Sequence, residues 1–223
     1  FNSNGTIKNS QESSRSIYEI VQSSLTDPNS QDVNYNFALY YLTISNILDP
    51  EFYEGYYYSA QIYQFLKQFE QAELYYNMIP STHSLYFQSI KNIALNKSKM
   101  NKFVEGEIYL LELINQHPNE GSLLIALGDL YRFQKIYDQA IKYYSDIINT
   151  KKDNLSEKWR LLYLRGICYE RSSQWALAES DFLESLKLKS DSPQVLNYLA
   201  YGWLEQDLHL ERALQMLQKA YYG

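Results

Sequence analysis

Residues 124–144 read Leu-Ile-Ala-Leu-Gly-Asp-Leu-Tyr-Arg-Phe-Gln-Lys-Ile-Tyr-Asp-Gln-Ala-Ile-Lys-Tyr-Tyr. Leu124, Leu127 and Tyr131 recur at i, i+3 and i+7, which puts them on one helical face. Gly128 lies within that run, Ala140 follows twelve residues later, and Tyr144 stands four beyond Ala140. A small residue permits close approach of two helix axes, because a larger side chain would push them apart. The stretch therefore predicts a helical hairpin with one small residue on each helix and a large side chain to fill the space between them.

The same arrangement recurs along the chain. Small residues at Ala60, Ala94, Gly128, Gly166 and Ala200 are spaced 34, 34, 38 and 34 apart. A second series, Ala38, Ala72, Gly106, Ala140, Ala178 and Ala213, is spaced 34, 34, 34, 38 and 35. The lag between the series is 12 residues in four units and 13 in the last. Large residues follow the second series by four positions, at Leu42, Tyr76, Leu110, Tyr144, Phe182 and Leu217, on the same face. Four positions before the first series, Tyr56, Ile90, Leu124, Leu162 and Leu196 read as core, whereas the mixed set one position later, Tyr57, Lys91, Ile125, Tyr163 and Asn197, does not. Asp49-Pro50, Ile79-Pro80, His117-Pro118 and Ser192-Pro193 fall between units, where proline ends one helix or opens the next.

Composition agrees with a helical chain. With 8 Gly and 5 Pro in 223 residues there are too few turn formers for a many-stranded sandwich or barrel. The net charge is −6, and residues 1–75 account for all of it, with 9 acidic and 3 basic side chains; the remaining two thirds are balanced. No segment gathers the basic stripe that binding a phosphate backbone needs, so no nucleic-acid partner is expected. No membrane span is expected either, since no stretch approaches the roughly 18 apolar residues required. Cys168 is the single cysteine and leaves the compartment open between cytoplasm and export to a bacterial periplasm after loss of a signal peptide. The chain begins without Met and stops on Tyr-Tyr-Gly, and it is read as a fragment of a longer protein.

A 34-residue hairpin with small residues at positions 8 and 20, an aromatic at 11 and proline near 32 resembles the tetratricopeptide repeat (TPR). Leu124-x-x-Leu127-Gly128-x-x-Tyr131 with Ala140-x-x-x-Tyr144, and Gly166-x-x-Tyr169 with Ala178-x-x-x-Phe182, carry the likeness most fully. The stretch from Tyr163 to Arg171 and from Leu196 to Tyr201 is also similar to later repeats of a group of bacterial multi-TPR proteins of undefined biochemical role. The resemblance implies an all-α, right-handed superhelix (α-solenoid) of about six helix-turn-helix hairpins. One domain spans 1–223, with repeats at residues 12–50, 53–80, 83–118, 121–151, 157–190 and 193–223. The first and third repeats depart from the pattern: Lys97 replaces the aromatic and Gly106 the alanine, and the first turn is stretched around residues 26–32. Residues 149–158 add four to the period and are expected to form a polar loop.

The resemblance further implies that first helices line a concave groove, with positions 2, 5, 9 and 12 facing into it. Its expected partner-binding residues are Tyr57, Gln61, Gln64, Lys91, Asp129, Arg132, Arg160, Tyr163, Glu170, Asn197 and Tyr201. Mixed aromatic, amide and charged side chains suit an extended peptide or helix of another protein, whose identity the sequence does not give. Some TPR domains grip a C-terminal carboxylate. Here Leu95, Ala126 and Leu164 occupy slots of that clamp and only Lys91 and Arg160 fit, which disfavours this mode.

Catalysis is not expected. His83, His117 and His209 fall near junctions and do not share a face, and Cys168 sits inside a first helix as a packed thiol. No His, Cys or carboxylate cluster has metal-ligand spacing and no glycine-rich phosphate loop appears, so no cofactor is expected. Most of the 23 tyrosines, among them Tyr63, Tyr76, Tyr131, Tyr144 and Tyr169, take core positions of the repeat. The alternative function is structural: self-association through the C-terminal helix at Leu214, Leu217 and Ala220, or service as the accessory arm of an enzyme whose domain lies outside this chain.

Overall fold

The computed structural model describes residues 3–26, 34–150 and 157–222. Among these residues lie twelve helices and no strand. They are α1 (Ser3–Thr26), α2 (Tyr35–Leu48), α3 (Tyr53–Phe65), α4 (Phe69–Tyr76), α5 (Tyr86–Lys99), α6 (Phe103–Gln116), α7 (Gly121–Phe133), α8 (Tyr137–Thr150), α9 (Lys158–Arg171), α10 (Trp175–Leu188), α11 (Pro193–Glu205) and α12 (Leu210–Tyr222). Pro193 opens α11 at its first turn, where its missing N–H costs nothing. Most of the stretched first turn and of the polar insertion loop, residues 27–33 and 151–156, lies outside the described residues.

The chain forms two compact units, residues 1–109 and 110–223, with the division inside α6. In the first unit, Ala38 and Leu42 of α2 pack with Val21 and Ile62, while Ala60, Ala72, Tyr76 and Ile93 build a second cluster around α3 and α4. A serine pair ties α1 to α2: the Ser14 and Ser45 hydroxyls are 2.6 Å apart and share one hydrogen bond, and the hydroxyl that accepts it donates in turn to the other residue's carbonyl, within 3.1 Å. Asn46 donates to the Phe52 carbonyl at 2.8 Å and lies so close to Gly55 that a Cβ there would meet its Oδ1 at 2.6 Å.

Lys97, which stands in the aromatic's place, pairs with Glu73 at 2.9 Å and Glu105 at 3.8 Å. Gly106 faces the Ala94 carbonyl oxygen, 2.8 Å from where its Cβ would be. The glycine in the second small-residue ladder thus marks a crossing tight enough to press on main chain.

In the second unit, Ala178, Phe182, Val195, Leu199, Ala200, Trp203 and Ala213 form the core of the last two hairpins. Arg165 of α9 donates two hydrogen bonds to Asp181 of α10, both at 2.7 Å, and a third to Ser145 of α8 at 3.0 Å. This fork ties three helices together, and charged hydrogen bonds of this geometry are the strong ones.

The hairpin turns share one device. Lys67, Asn101, Lys135, Ser173 and Asp207 all have φ between 54° and 62°, and they fall on the same 34, 34, 38, 34 spacing as the small residues. The N–H that follows each one reaches back five residues, to the carbonyls of Tyr63, Lys97, Tyr131, Tyr169 and Trp203. That is the Schellman closure of a helix C-terminus, which usually places glycine in the left-handed position. No described glycine has positive φ. Gly55, Gly106, Gly128, Gly166 and Gly202 serve close packing, and lysine, asparagine, serine and aspartate take the turns.

Candidate partner-binding faces

The first-helix face of the first unit carries a cleft of about 400 Å³. Tyr57, Gln61 and Gln64 of α3 line it with Gln88 and Asn92 of α5, and Phe65 and Lys99 border it. The Tyr76 hydroxyl donates to Gln64 Oε1 at 3.0 Å and accepts from Asn92 Nδ2 at 3.0 Å; Asn92 also reaches the Tyr57 hydroxyl at 3.4 Å. Burial pushes the Tyr57 hydroxyl above its ordinary value, and hydrogen bonds from Asn92, Gln61 and Gln88 oppose the shift. The wall is therefore a hydroxyl and amide network with one charged group, Lys99, at its border and Phe65, 66% exposed, as its apolar element.

Two sequence expectations change here. Tyr57 was placed on an open face and Tyr56 in the core, but Tyr57 is buried, at 8% exposure, against Tyr76, and Tyr56 is half-buried. Tyr57 meets Tyr76 of α4 edge-on at 5.6 Å, so it offers its hydroxyl to the cleft and its ring to the core. Lys91, half-buried on α5, does not line the cleft; its neighbour Asn92 does.

In the second unit the expected residues separate into two groups. Asp129 is 3% exposed, accepts from the Tyr144 hydroxyl at 2.6 Å and lies 3.6 Å from Arg132, whose Nε donates to the same hydroxyl at 3.2 Å. The two residues belong to the core side of α7, where the acid and the guanidinium satisfy a buried tyrosine. Arg160 pairs with Glu157 at 3.1 Å in the first turn of α9. Tyr163 packs edge-on against Tyr198 at 5.5 Å, and its hydroxyl is pushed up to about 12, first by burial.

Glu170, Asn197 and Tyr201 do come together. They line a cleft of about 300 Å³ with Arg171, Tyr198, Gly202 and Glu205. Trp175 of α10 presses so closely on Gly202 that any Cβ would collide with its ring. Gly202 therefore lets the indole pack against the α11 backbone beside the cleft.

Sequence reasoning missed Phe65, Asn92, Lys99, Arg171, Tyr198 and Glu205. All six occupy positions 6 or 13 of their repeat, one helical step from positions 2 and 9, so the face is wider than the single stripe the repeat period suggested. The described residues contain no group of three His, Cys, Asp or Glu side chains placed to hold a metal, and no helix among them is long and apolar enough to cross a membrane. Burial pushes the Cys168 thiol up to about 12.

Compared by sequence, the chain matches no protein-family profile and no curated protein. Compared by structure, it is similar to yeast Tom70, with a TM-score of 0.77 and 17% identity over 93% of this chain and 42% of that one. A tetratricopeptide repeat protein from Parabacteroides merdae superposes with a TM-score of 0.66 at 14% identity, covering 97% of this chain and 93% of its own. A chain of the APC/C hetero-tetramer Cut9–Hcn1 gives 0.60 at 14% identity, covering 95% of this chain and 43% of its own. The chain thus spans less than half the length of two of these neighbours. Helical hairpins at a 34-residue period, the small-residue crossings and these superpositions together establish that the chain has the all-α tetratricopeptide-repeat fold.

Proposed function

We propose that the chain is a non-catalytic scaffold that holds an extended segment or helix of another protein on the first-helix faces of its hairpins. The observation that carries this reading is that each unit opens a cleft of about 300 to 400 Å³ on that face, walled mainly by amides in the first unit and by charged groups, Asn197 and tyrosines in the second, each with an exposed aromatic ring. Side-chain amides pair with the main chain of an extended peptide, and exposed Tyr201 and Phe65 supply apolar area at low entropic cost. The fold supports the same reading, since Cut9, one of the structural neighbours, is seen in a hetero-tetramer with Hcn1.

The test is a random peptide library displayed against the whole chain, followed by amide NMR titration with a selected peptide. Perturbation of Gln61, Gln64, Gln88, Asn197 and Tyr201, with loss of binding in a folded Gln61→Ala, Gln64→Ala, Tyr201→Ala variant, is expected. A library that yields no binder, or perturbations confined to second helices, overturns the proposal.

A second reading has its own observation. On α12, Leu210, Leu214 and Tyr221 are 53%, 57% and 81% exposed. Self-association through this helix predicts a concentration-dependent mass in sedimentation equilibrium that Leu214→Glu abolishes. A mass that stays monomeric at high concentration rejects it.

A further inference from the structure

We infer that the cleft between α9 and α11 takes a cationic side chain, a lysine or arginine of the bound segment. This deepens the scaffold reading by naming what one of its two clefts recognises. The cleft is lined by two carboxylates, Glu170 and Glu205, against one guanidinium, Arg171, so its net charge is negative. Glu170 Oε2 is buried and accepts no hydrogen bond among the described residues. Arg171 Nε lies 3.2 Å from it, close enough for charge attraction but not aligned to donate. The ion pair leaves acceptor capacity on this carboxylate, whose side chain is a quarter exposed, and a charged donor arriving in the cleft would add a charge-assisted hydrogen bond to it.

The aromatic walls point the same way. Tyr198 and Tyr201 line the cleft, and Tyr201 is 59% exposed. Tyrosine faces attract lysine and arginine by the ring quadrupole. The second unit already seats its own cations on its aromatic rings: Lys189 stands 4.3 Å from the Trp159 ring centre and Arg212 stands 4.9 Å from that of Trp203. Tyr201 carries no such internal cation among the described contacts.

Arg171 fixes the sign of the test. It is 54% exposed, and it is the one cation in the lining, where it competes with an incoming cation for Glu170 and would instead assist an incoming anion. Neutralising it must strengthen the binding of a cation and weaken that of an anion.

The probes are N-acetyl-arginine methylamide and N-acetyl-lysine methylamide, with the norleucine and glutamate analogues as neutral and anionic controls. Binding to the whole chain is read by NMR at the Gly202 amide and the Trp175 indole N–H. Saturable shifts with the cationic probes, with Kd on the order of millimolar, are expected for so small a ligand. Glu170→Gln with Glu205→Gln should weaken them about tenfold or more, and Arg171→Gln should strengthen them severalfold. Each variant is first matched to wild type in melting temperature, and Glu205→Gln alone, at an exposed position, gives a variant whose folding is not at risk.

Preference for the glutamate probe, equal binding of the norleucine probe, or weaker cation binding in Arg171→Gln overturns the inference, as does the absence of any saturable shift. These outcomes are independent of the peptide library. Library binders without a cationic residue at this cleft would sink the subsite and leave the scaffold reading standing. Cation binding with no library binder would do the reverse.

Discussion

Gly166 and Phe182 are sixteen residues apart, and a Cβ on the glycine would stand 2.6 Å from Phe182 Cε1. Gly128 has the same relation to Tyr144, at 2.8 Å, so the hole on the first helix and the knob on the second meet within one hairpin. In a free helix Gly→Ala is favourable by about 1 kcal/mol. Here overpacking against a fully buried ring costs about 1–3 kcal/mol and exceeds that gain. Gly166→Ala and Gly128→Ala are expected to lower stability in urea denaturation. Gly106→Ala should cost more than either, because the obstacle is the Ala94 carbonyl, which cannot rotate aside.

The turn residues predict the opposite sign. Ser173 and Lys135 hold φ of 61° and 62°, a conformation that costs an L-residue roughly 1 kcal/mol and costs glycine little. Ser173→Gly and Lys135→Gly should each raise stability by about 0.5–1 kcal/mol, offset in part by the greater freedom of glycine in the unfolded chain. Equal or lower melting temperatures in both variants would show that the strain is relieved elsewhere.

These two cases show what was legible in the sequence. The period, the hairpins and the small-to-large packing follow from residue size alone, and the Gly166–Phe182 and Gly128–Tyr144 contacts confirm the reading. The left-handed turn positions carry the same period but were missed, because Lys67, Lys135 and Ser173 are not the residues that usually announce such a turn. The candidate site was half legible. Tyr57, Gln61, Gln64, Glu170, Asn197 and Tyr201 line clefts, Tyr57 with its hydroxyl alone, while Asp129 turns its carboxylate onto Tyr144 and lies buried. Arg165 gave no signal at all. Its partner Asp181 stands sixteen residues away, the same separation as Gly166 from Phe182, so the hairpin geometry that joins them is visible only once the crossing is known.

The Arg165–Asp181 fork should be the most sensitive polar contact in the second unit. Both side chains are largely buried, at 15% and 7% exposure, so removing one leaves an uncompensated charge. Arg165→Met is expected to cost about 3–5 kcal/mol, and Arg165→Met with Asp181→Leu much less, since an apolar pair of similar volume can replace a buried ion pair. A double variant as unstable as the single one would mean that the hydrogen bond from Arg165 to Ser145 of α8, and not the ion pair to α10, carries most of what Arg165 contributes.

Cys168 offers a probe of opening in the same unit. It is fully buried, and burial pushes its thiol up to about 12, with Arg132 opposing the shift and Asp129 adding to it. The folded state therefore holds this proton more tightly than the unfolded chain does. Its contribution to stability is complete at neutral pH and is lost as pH rises from the ordinary thiol range of about 8.5 toward about 12. At pH 8 an aromatic disulfide reagent should label the native chain only through opening, with a rate that climbs in parallel with the urea unfolding curve. Cys168→Ala should lose stability less steeply than wild type between those pH limits. Fast labelling without denaturant would show that α9 opens locally, well below the free energy of global unfolding.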